Sequence, residues 1–171
     1  MLFRSRLART EHIKAGDVAQ VRVGTNKAML NTLIHHRPKD GLQAKFSMEY
    51  CIAAILLDGN VGLLHFTDPM VNRQEAQALL ARVAFYNNPE ADAAGSDKMR
   101  SLIEIKLNNG KTISGQADFA RGSPQKPMSF EDAVDKFRGC ADYAKVPKAR
   151  ADRIVALVRE LDRVDDMQKA V

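Results

Sequence analysis

The chain has 171 residues, of which 45% are hydrophobic and 27% are charged, as expected for one soluble globular domain. A chain of this length can bury a hydrophobic core without disulfides or a structural metal. Its longest apolar run, residues 50–57, has eight residues, whereas a membrane-spanning helix needs about 20. Residues 1–9 are basic but lack the apolar stretch of a secretory signal. We therefore expect a cytoplasmic protein with no membrane partner.

The charge distribution and the spacing of Cys and His predict neither a nucleic-acid-binding protein nor a metalloprotein. The 26 Lys and Arg against 21 Asp and Glu give a formal net charge of +5. The basic residues are scattered, and neither a Trp nor a nucleic-acid motif accompanies them, so no nucleic-acid partner is predicted. Anionic small substrates account for the charge equally well. Two cysteines, Cys51 and Cys140, and four histidines lack metal-ligand spacing, so no metal site is predicted.

The first half of the chain predicts a strand, a loop and a buried helix. Valines alternate near the end of residues 17–24, which is typical of a half-buried strand. A loop is expected up to the Asp40-Gly41 turn pair, because the Arg37-Pro38 step disfavours helix. Residues 45–57 predict a helix that is apolar on nearly all sides, with Ser47 as N-cap and a stop at Gly59.

The middle of the chain predicts a second helix, a strand and a loop. The helix starts at Thr67-Asp68-Pro69 and carries its apolar period to Val83. A strand is expected over residues 82–87, ended by Asn88-Pro89. Residues 91–97 are small and polar and predict a loop.

The clearest supersecondary signal is a hairpin over residues 102–119. A two-residue turn at Asn109-Gly110 would set Ile105 opposite Ser114 and send the two apolar sets to opposite faces. A three-residue loop, residues 108–110 with Gly110 left-handed, sets Ile105 opposite Ile113 instead. The sequence therefore predicts the bulged hairpin.

The last part of the chain predicts a loop and two helices. Residues 121–128 contain two prolines, Pro124 and Pro127, and predict a loop. Ser129 with Asp132 three residues later indicates a capped helix start, and Pro147 opens a final helix. The fold class expected is α+β, in two layers, with an antiparallel sheet packed by helices. Residues 13–171 are expected to form one domain, and residues 1–12 a basic N-terminal segment that is a candidate non-native addition.

Three segments resemble the MmgE/PrpD family. Residues 37–59, with Ala44-Lys45-Phe46-Ser47 and Tyr50 three residues later, match the family's most specific motif. The Asn109-Gly110 hairpin is similar to its strand pair. Residues 122–129, with Lys136-Phe137, resemble its proline-containing loop and the helix that follows. The resemblance runs from about residue 13 to residue 161.

The resemblance implies a lyase that acts without cofactors on a small polycarboxylate such as 2-methylcitrate, by dehydration, decarboxylation or epimerisation. In the family a large helical domain and a smaller α+β lid enclose the active site, and this chain resembles the lid alone. The family's segment with a lysine and a histidine has no counterpart here. The implied partners are a helical domain or partner chain that completes the site, and a second copy in a homodimer. The alternative is a non-catalytic, stand-alone binding module derived from such a lid.

By the same resemblance, the catalytic residue is Tyr50, whose phenol can give a proton to a developing enolate. The substrate-binding candidates are Lys45, which could pair with a carboxylate, Ser47 at the helix N-terminus, and Arg37 at the cleft entrance. The alternative interpretation makes Tyr50 a core residue and Lys45 a solvated flank. Ser47 is expected to be a helix cap and not a nucleophile, since no base is placed to activate it.

Overall fold

The computed structural model describes residues 13–95 and 97–164. The predictions for residues 1–12 lie outside this part of the chain. The contacts within the chain divide it into two compact units, with the boundary between Pro127 and Met128. One domain over residues 13–171 stays a prediction. The two units are described separately.

The first unit contains a four-stranded sheet and six of the helices. In chain order its elements are β1 (Val18–Thr25), α1 (Lys27–Thr32), α2 (Gly41–Lys45), α3 (Met48–Asp58), α4 (Asp68–Val71), α5 (Gln74–Leu80), β2 (Val83–Asn87), α6 (Pro89–Ala93), β3 (Ser101–Leu107) and β4 (Thr112–Ala117). Short 3₁₀ turns lie at Ala15–Asp17 and Leu63–Phe66.

The sheet confirms the α+β class, with one difference from the predicted antiparallel sheet. The strand order is β2-β1-β3-β4, and both the β1–β3 and β3–β4 pairs are antiparallel. The β1–β2 pair is parallel, with Val21 beside Val83. A parallel pair needs a long crossover, and the helices α1 to α5 supply it. The sheet is therefore mixed.

The bulged hairpin between β3 and β4 is confirmed. Ile105 pairs with Ile113, and Gly110 has a φ of 86°. The Leu107 carbonyl accepts the Gly110 N–H at 3.0 Å, and the Leu107 N–H donates to Lys111 at 2.8 Å. The three-residue loop sends both apolar sets to the same face, where Ile103, Ile105 and Ile113 are buried.

Helix α3 forms the centre of the core, as predicted. The Ser47 Oγ accepts the Tyr50 N–H at 3.2 Å, and Gly59 ends the helix in the left-handed region at φ 75°. Every residue from Met48 to Leu56 is buried. The helix begins at Met48 and not at residue 45, because residues 41–45 form the separate helix α2, capped by the Asp40 carboxylate.

Side-chain caps explain two of three further departures from the predicted elements. Asn26 caps α1 through the Met29 N–H at 3.0 Å, in a stretch predicted to be loop. Asn88 caps α6 in the same way, with Pro89 at the first helical position, which its fixed φ favours. The helix expected from Thr67 to Val83 is two helices, α4 and α5, with Val83 already in β2.

The second unit consists of α7 (Phe130–Tyr143), α8 (Lys148–Arg159) and a 3₁₀ turn, Leu161–Arg163. The capping box at its start is confirmed: Ser129 Oγ accepts the Asp132 N–H, and the Asp132 carboxylate accepts the Ser129 N–H, both at 3.1 Å. An ion pair between Arg138 and Asp152, 2.9 Å apart, joins the two helices. Among residues 13–95 and 97–164 no helix is long and apolar enough to cross a bilayer.

Candidate functional site

A cleft of about 230 Å³ opens on the first unit, bordered by α1, the start of α3, and residues at the β3 and β4 ends away from the hairpin loop. Its floor and walls are largely apolar and are formed by Met29, Leu33, Met48, Cys51, Met99 and Phe119. Such a surface can hold the carbon skeleton of a small molecule and exclude water from it. We refer to it as the cleft.

Three cationic side chains border the cleft: Lys45, Arg121 and Lys126. Of the described residues that line it, none is acidic. Both lysines are exposed, so their ammonium groups remain hydrated and open to a ligand. Cationic groups beside apolar walls attract anions more strongly than the same groups on an open surface. The cleft therefore favours a small anion with an apolar part.

The N-terminus of α3 adds positive potential at one wall of the cleft. Ser47 and Met48 both border it. Within the described ranges the amide N–H groups of Met48 and Glu49 meet no hydrogen-bond acceptor. Unpaired amides at a helix start carry partial positive charge and bind carboxylates readily. The Ser47 side chain itself is fully buried and serves as the helix cap.

An arginine–carboxylate pair, which we call the clamp, lies next to the cleft residues Met99 and Phe119. Arg100 donates to both oxygens of Asp118, through Nε at 2.8 Å and Nη2 at 2.9 Å. The Met99 N–H also donates to the Asp118 carbonyl at 2.9 Å. The hydrogen bonds from Arg100, and then from Gln116, hold the pKa of Asp118 down at about 2. The clamp fixes Met99 and Phe119, which both line the cleft.

Tyr50 does not border the cleft. Its side chain is fully buried in a second apolar cluster that includes Ala54, Val71 and Leu80. The hydroxyl donates a hydrogen bond to the backbone carbonyl of His65. Burial raises the pKa of the phenol above its ordinary value of 10.0. In the described chain the phenol proton is therefore committed to the protein backbone.

A polar network continues from this hydrogen bond. The His65 Nδ1 accepts the Gly62 N–H at 3.0 Å, and its Nε2 lies 3.4 Å from Asp58 Oδ2. Arg73 donates to both Asp58 oxygens, at 3.1 and 2.6 Å, and these hydrogen bonds lower the pKa of Asp58. We call Tyr50, Asp58, His65 and Arg73 the Tyr50 network. It links the end of α3 to the residue before α5.

The structure brings together only part of the predicted site. Lys45 and Ser47 border the same cleft, whereas Tyr50 and Arg37 do not, and Arg37 lies exposed on the loop before α2. Arg121 and Lys126 were missed, because residues 121–128 looked like a connecting loop. The clamp was missed as well, although the hairpin register pairs Ser101 with Ala117 and so sets Arg100 beside Asp118. That register was the available signal.

Residues 4–163 match the family model described as the MmgE/PrpD C-terminal domain. The chain belongs to the MmgE/PrpD family. This result confirms the resemblance found in the sequence. In the described ranges of this MmgE/PrpD domain, no three His, Cys, Asp or Glu side chains are placed to share a metal ion.

Two curated relatives of this MmgE/PrpD domain carry the same name. The chain is 29% identical to cis-aconitate decarboxylase of Mus musculus over 131 residues, which are 77% of the chain and 26% of the relative. It is 27% identical to cis-aconitate decarboxylase of Homo sapiens over 124 residues, 72% of the chain and 25% of the relative. The chain thus spans about a quarter of the length of these relatives.

Proposed function

We propose that the chain is the substrate-binding C-terminal part of a lyase that acts without cofactors on a small polycarboxylate. The observation that carries the proposal is the cleft, in which three cations and a helix N-terminus surround an apolar floor, and none of the described residues that line it is acidic. The names of the two curated relatives support a decarboxylation as the reaction, with cis-aconitate as the first probe. A branched tricarboxylate such as 2-methylcitrate would fit the same arrangement of cations and apolar floor.

In this proposal the cations stabilise negative charge that develops on the substrate during the reaction. Lys45 and Lys126 pair with carboxylates of the substrate, and the apolar floor holds its carbon chain. When a carbon–hydrogen bond breaks, or when a carboxylate leaves as carbon dioxide, the electron pair stays on the substrate carbon and is delocalised into a neighbouring carboxylate that remains. Cations fixed beside it stabilise the developing charge, and they do so more strongly where water is excluded.

The proposal includes a helical domain, or a partner chain, that completes the site. Exposed apolar side chains on the first unit support this part: Ile34, Leu42 and Leu64 are 59%, 68% and 60% exposed. Leu42 lies on α2, which packs against the 3₁₀ turn that carries Leu64. Apolar side chains exposed in this number commonly mark an interaction surface. A homodimer is the other form of partner that the proposal includes.

The catalytic role of Tyr50 stays a prediction. For the phenol to give its proton to a substrate, its hydrogen bond to His65 must first break. Turnover by Tyr50→Phe in the protein that joins this chain to its helical domain tests this role. If the variant retains full turnover, Tyr50 has no catalytic role and serves only the core.

A second candidate function is a non-catalytic module that binds polycarboxylates. The Tyr50 phenol supports it, because its hydroxyl donates to the backbone carbonyl of His65 and does not border the cleft. The two candidates share the cleft and differ in turnover. Decarboxylation of cis-aconitate, followed by NMR with the helical domain present, separates them.

The binding of a tricarboxylate to the 171-residue chain tests the cleft itself. We expect tricarballylate and cis-aconitate to shift the amide resonances of residues 45–48 and 119–126. Replacing Lys45 or Lys126 by Ala should weaken binding about three- to tenfold each, as expected for the loss of one charge-assisted contact. Lys106→Ala is the matched control, since Lys106 is an exposed β3 lysine that does not border the cleft.

Two results would contradict the proposal. One is a dissociation constant that Lys106→Ala raises as much as Lys45→Ala does, which would mean nonspecific attraction to a basic protein. The other is inorganic phosphate competing as well as tricarballylate, which would make the cleft a general anion site. Binding that prefers the tricarboxylate and depends on both cleft lysines supports the substrate class.

A further inference from the structure

A histidine–carboxylate pair at the start of α3, outside the residues that line the cleft, has no part in the function described so far. The His36 Nδ1 is 2.7 Å from Glu49 Oε1. The Glu49 side chain is only 6% exposed, whereas that of His36 is 61% exposed. An ionised carboxylate only accepts hydrogen bonds, so Nδ1 carries the proton that it receives. One edge of the imidazole is therefore fixed against the protein and the rest remains accessible.

The carboxylate in this pair is held by a rigid element. Glu49 is the second residue of α3, where the positive end of the helix favours a negative charge. Its other oxygen, Oε2, is buried and has no hydrogen-bond partner among the described residues. His36 therefore makes the one side-chain hydrogen bond seen to this carboxylate in the described ranges. A buried carboxylate kept for one imidazole is the arrangement that orients catalytic histidines.

The loop that carries His36 is also fixed. The neighbouring His35 N–H donates to the Phe46 carbonyl at 3.1 Å, which ties the loop to the residue between α2 and α3. Pro38 is fully buried. The position of the imidazole is thus set by packing as well as by Glu49. A proton-transfer group needs this kind of fixed support to meet a substrate atom.

We propose that His36 is a proton-transfer residue of the site and that Glu49 is its positioning residue. This inference rests on the proposed function, since it assumes a polycarboxylate bound at the start of α3. The first turn of α3 connects the two features: Ser47 and Met48 border the cleft, and Glu49 follows them directly. The proposal requires that a substrate held by the cleft cations extends over this turn as far as the imidazole of His36, whose side chain is exposed.

The step assigned to His36 is the protonation that follows decarboxylation. The carbon–carbon bond to the leaving carboxylate breaks, carbon dioxide departs, and the electron pair stays on the remaining carbon as an enolate. The Nε2–H bond of the His36 imidazolium then breaks while a carbon–hydrogen bond forms. The imidazole is left neutral and regains a proton from water. Glu49 stays ionised and stabilises the imidazolium before the transfer.

Chemical modification of the histidines in the 171-residue chain tests the assignment. Diethylpyrocarbonate acylates neutral imidazole nitrogens, and mass spectrometry of peptides reports each histidine separately. Tricarballylate at ten times its dissociation constant should slow modification of His36 about 11-fold, because occupancy by the ligand sets the protection. His35, the adjacent histidine, is the internal control and should keep its rate.

The role of Glu49 is read from the tautomer of His36, by long-range ¹⁵N–¹H NMR. The neutral ring should carry its proton on Nδ1 in the wild-type chain and move it largely to Nε2 in Glu49→Leu, which has no acceptor. Glu49→Gln should restore the Nδ1–H form, since its amide oxygen can still accept. A tautomer unchanged in Glu49→Leu would overturn the positioning role.

The outcomes separate this inference from the proposed function. If tricarballylate shifts the cleft resonances but leaves His36 unprotected, the proton-transfer role is wrong and the binding function stands. If tricarballylate does not bind at all, the proposed function fails and the role of His36 fails with it. Protection of His36 together with the Glu49-dependent tautomer supports the inference.

Discussion

The cleft and the Tyr50 network both include residues of α3, but their polar groups differ in whether they have hydrogen-bond partners within the chain. In the network, the Tyr50 hydroxyl, the His65 imidazole and the Asp58 carboxylate all have partners within the chain. At the cleft, Lys45 and Lys126 are exposed, and the first amides of α3 meet no acceptor in the described ranges. The polar groups of the network stabilise the fold, whereas those of the cleft remain available to a ligand.

This difference predicts whether replacing a given residue changes the stability of the fold or the binding of a ligand. A buried group that loses its partner costs stability, because water cannot replace the lost hydrogen bond. An exposed cation that is removed costs little stability and changes ligand binding instead. The following four predictions test this division, from the largest expected effect on the free energy of unfolding to the smallest.

Replacement of Tyr50 should cause the largest loss. Tyr50→Ala removes a fully buried ring and should lower the free energy of unfolding by about 3–5 kcal/mol. Tyr50→Phe keeps the ring but orphans the His65 carbonyl, for a loss of about 1–3 kcal/mol. Urea denaturation measures both. Tyr86→Phe, on the partly exposed β2 tyrosine, is the control and should change stability by less than about 0.5 kcal/mol.

A methyl group at Gly41 should break the packing next to the network. A Cβ there would lie 1.9 Å from the Phe66 carbonyl oxygen, which is backbone and cannot move aside. Gly41→Ala should therefore cost about 1–3 kcal/mol, or more. Gly139→Ala provides the opposite expectation, since a Cβ at this α7 position meets nothing within 4 Å. It should stabilise the helix by about 0.5–1 kcal/mol. Equal effects in thermal melts would refute the packing argument.

Acid should weaken the clamp that holds the cleft wall. The pKa of Asp118 is lowered from 3.8 to about 2 by Arg100, so the unfolded chain binds a proton at higher pH than the folded one. The stabilisation is fully present above about pH 3.8 and is lost as the pH falls through about 2. Asp118→Asn should flatten the pH dependence of stability in this window, measured by denaturant melts at successive pH values. Glu104→Gln, whose carboxylate lies 3.9 Å from Arg22, is the control, and an equal flattening would argue against the clamp.

The cleft lysines should have the smallest effect on stability. Lys45→Gln and Lys126→Gln should each change the free energy of unfolding by less than about 0.5 kcal/mol, while the affinity for tricarballylate falls. Urea melts and NMR titrations on the same samples provide both quantities. A lysine variant that destabilises the fold as much as Tyr50→Phe does would remove the distinction between the two regions.

Local signals in the sequence predicted much of the fold. Ser47 and Gly59 gave the limits of α3, Gly110 gave the hairpin loop, and Ser129 gave the start of α7, because each acts within a few residues of itself. The parallel pairing of β1 with β2 was not predictable in this way. It depends on contacts across the whole α1 to α5 segment, and no residue near Val21 or Val83 specifies its partner.

The site was less predictable than the fold, for a related reason. The family motif grouped Lys45 with Ser47 as candidates for substrate binding, and in the structure both residues border the cleft. Arg121 and Lys126 come from a segment far along the chain, so only the folded sheet brings them there. The motif also grouped Tyr50 with Lys45, but the two residues lie on separate helices, α3 and α2, and only Lys45 borders the cleft.

The position of β1 in the sheet has a consequence for how the molecule assembles. β1 pairs with β2 and β3 and lies between them, so it cannot complete its pairing until chain segments far apart in sequence have met. Contacts of this kind form slowly, because a long loop must close before any pairing rewards it. The β3–β4 hairpin is local and can form early. Helices α1 to α5, with Lys45, Ser47, Glu49 and the whole Tyr50 network, all lie inside the loop that the β1–β2 pair closes. The side of the cleft formed by α1 and the start of α3 is therefore completed together with the Tyr50 network, when the β1–β2 pair closes this loop.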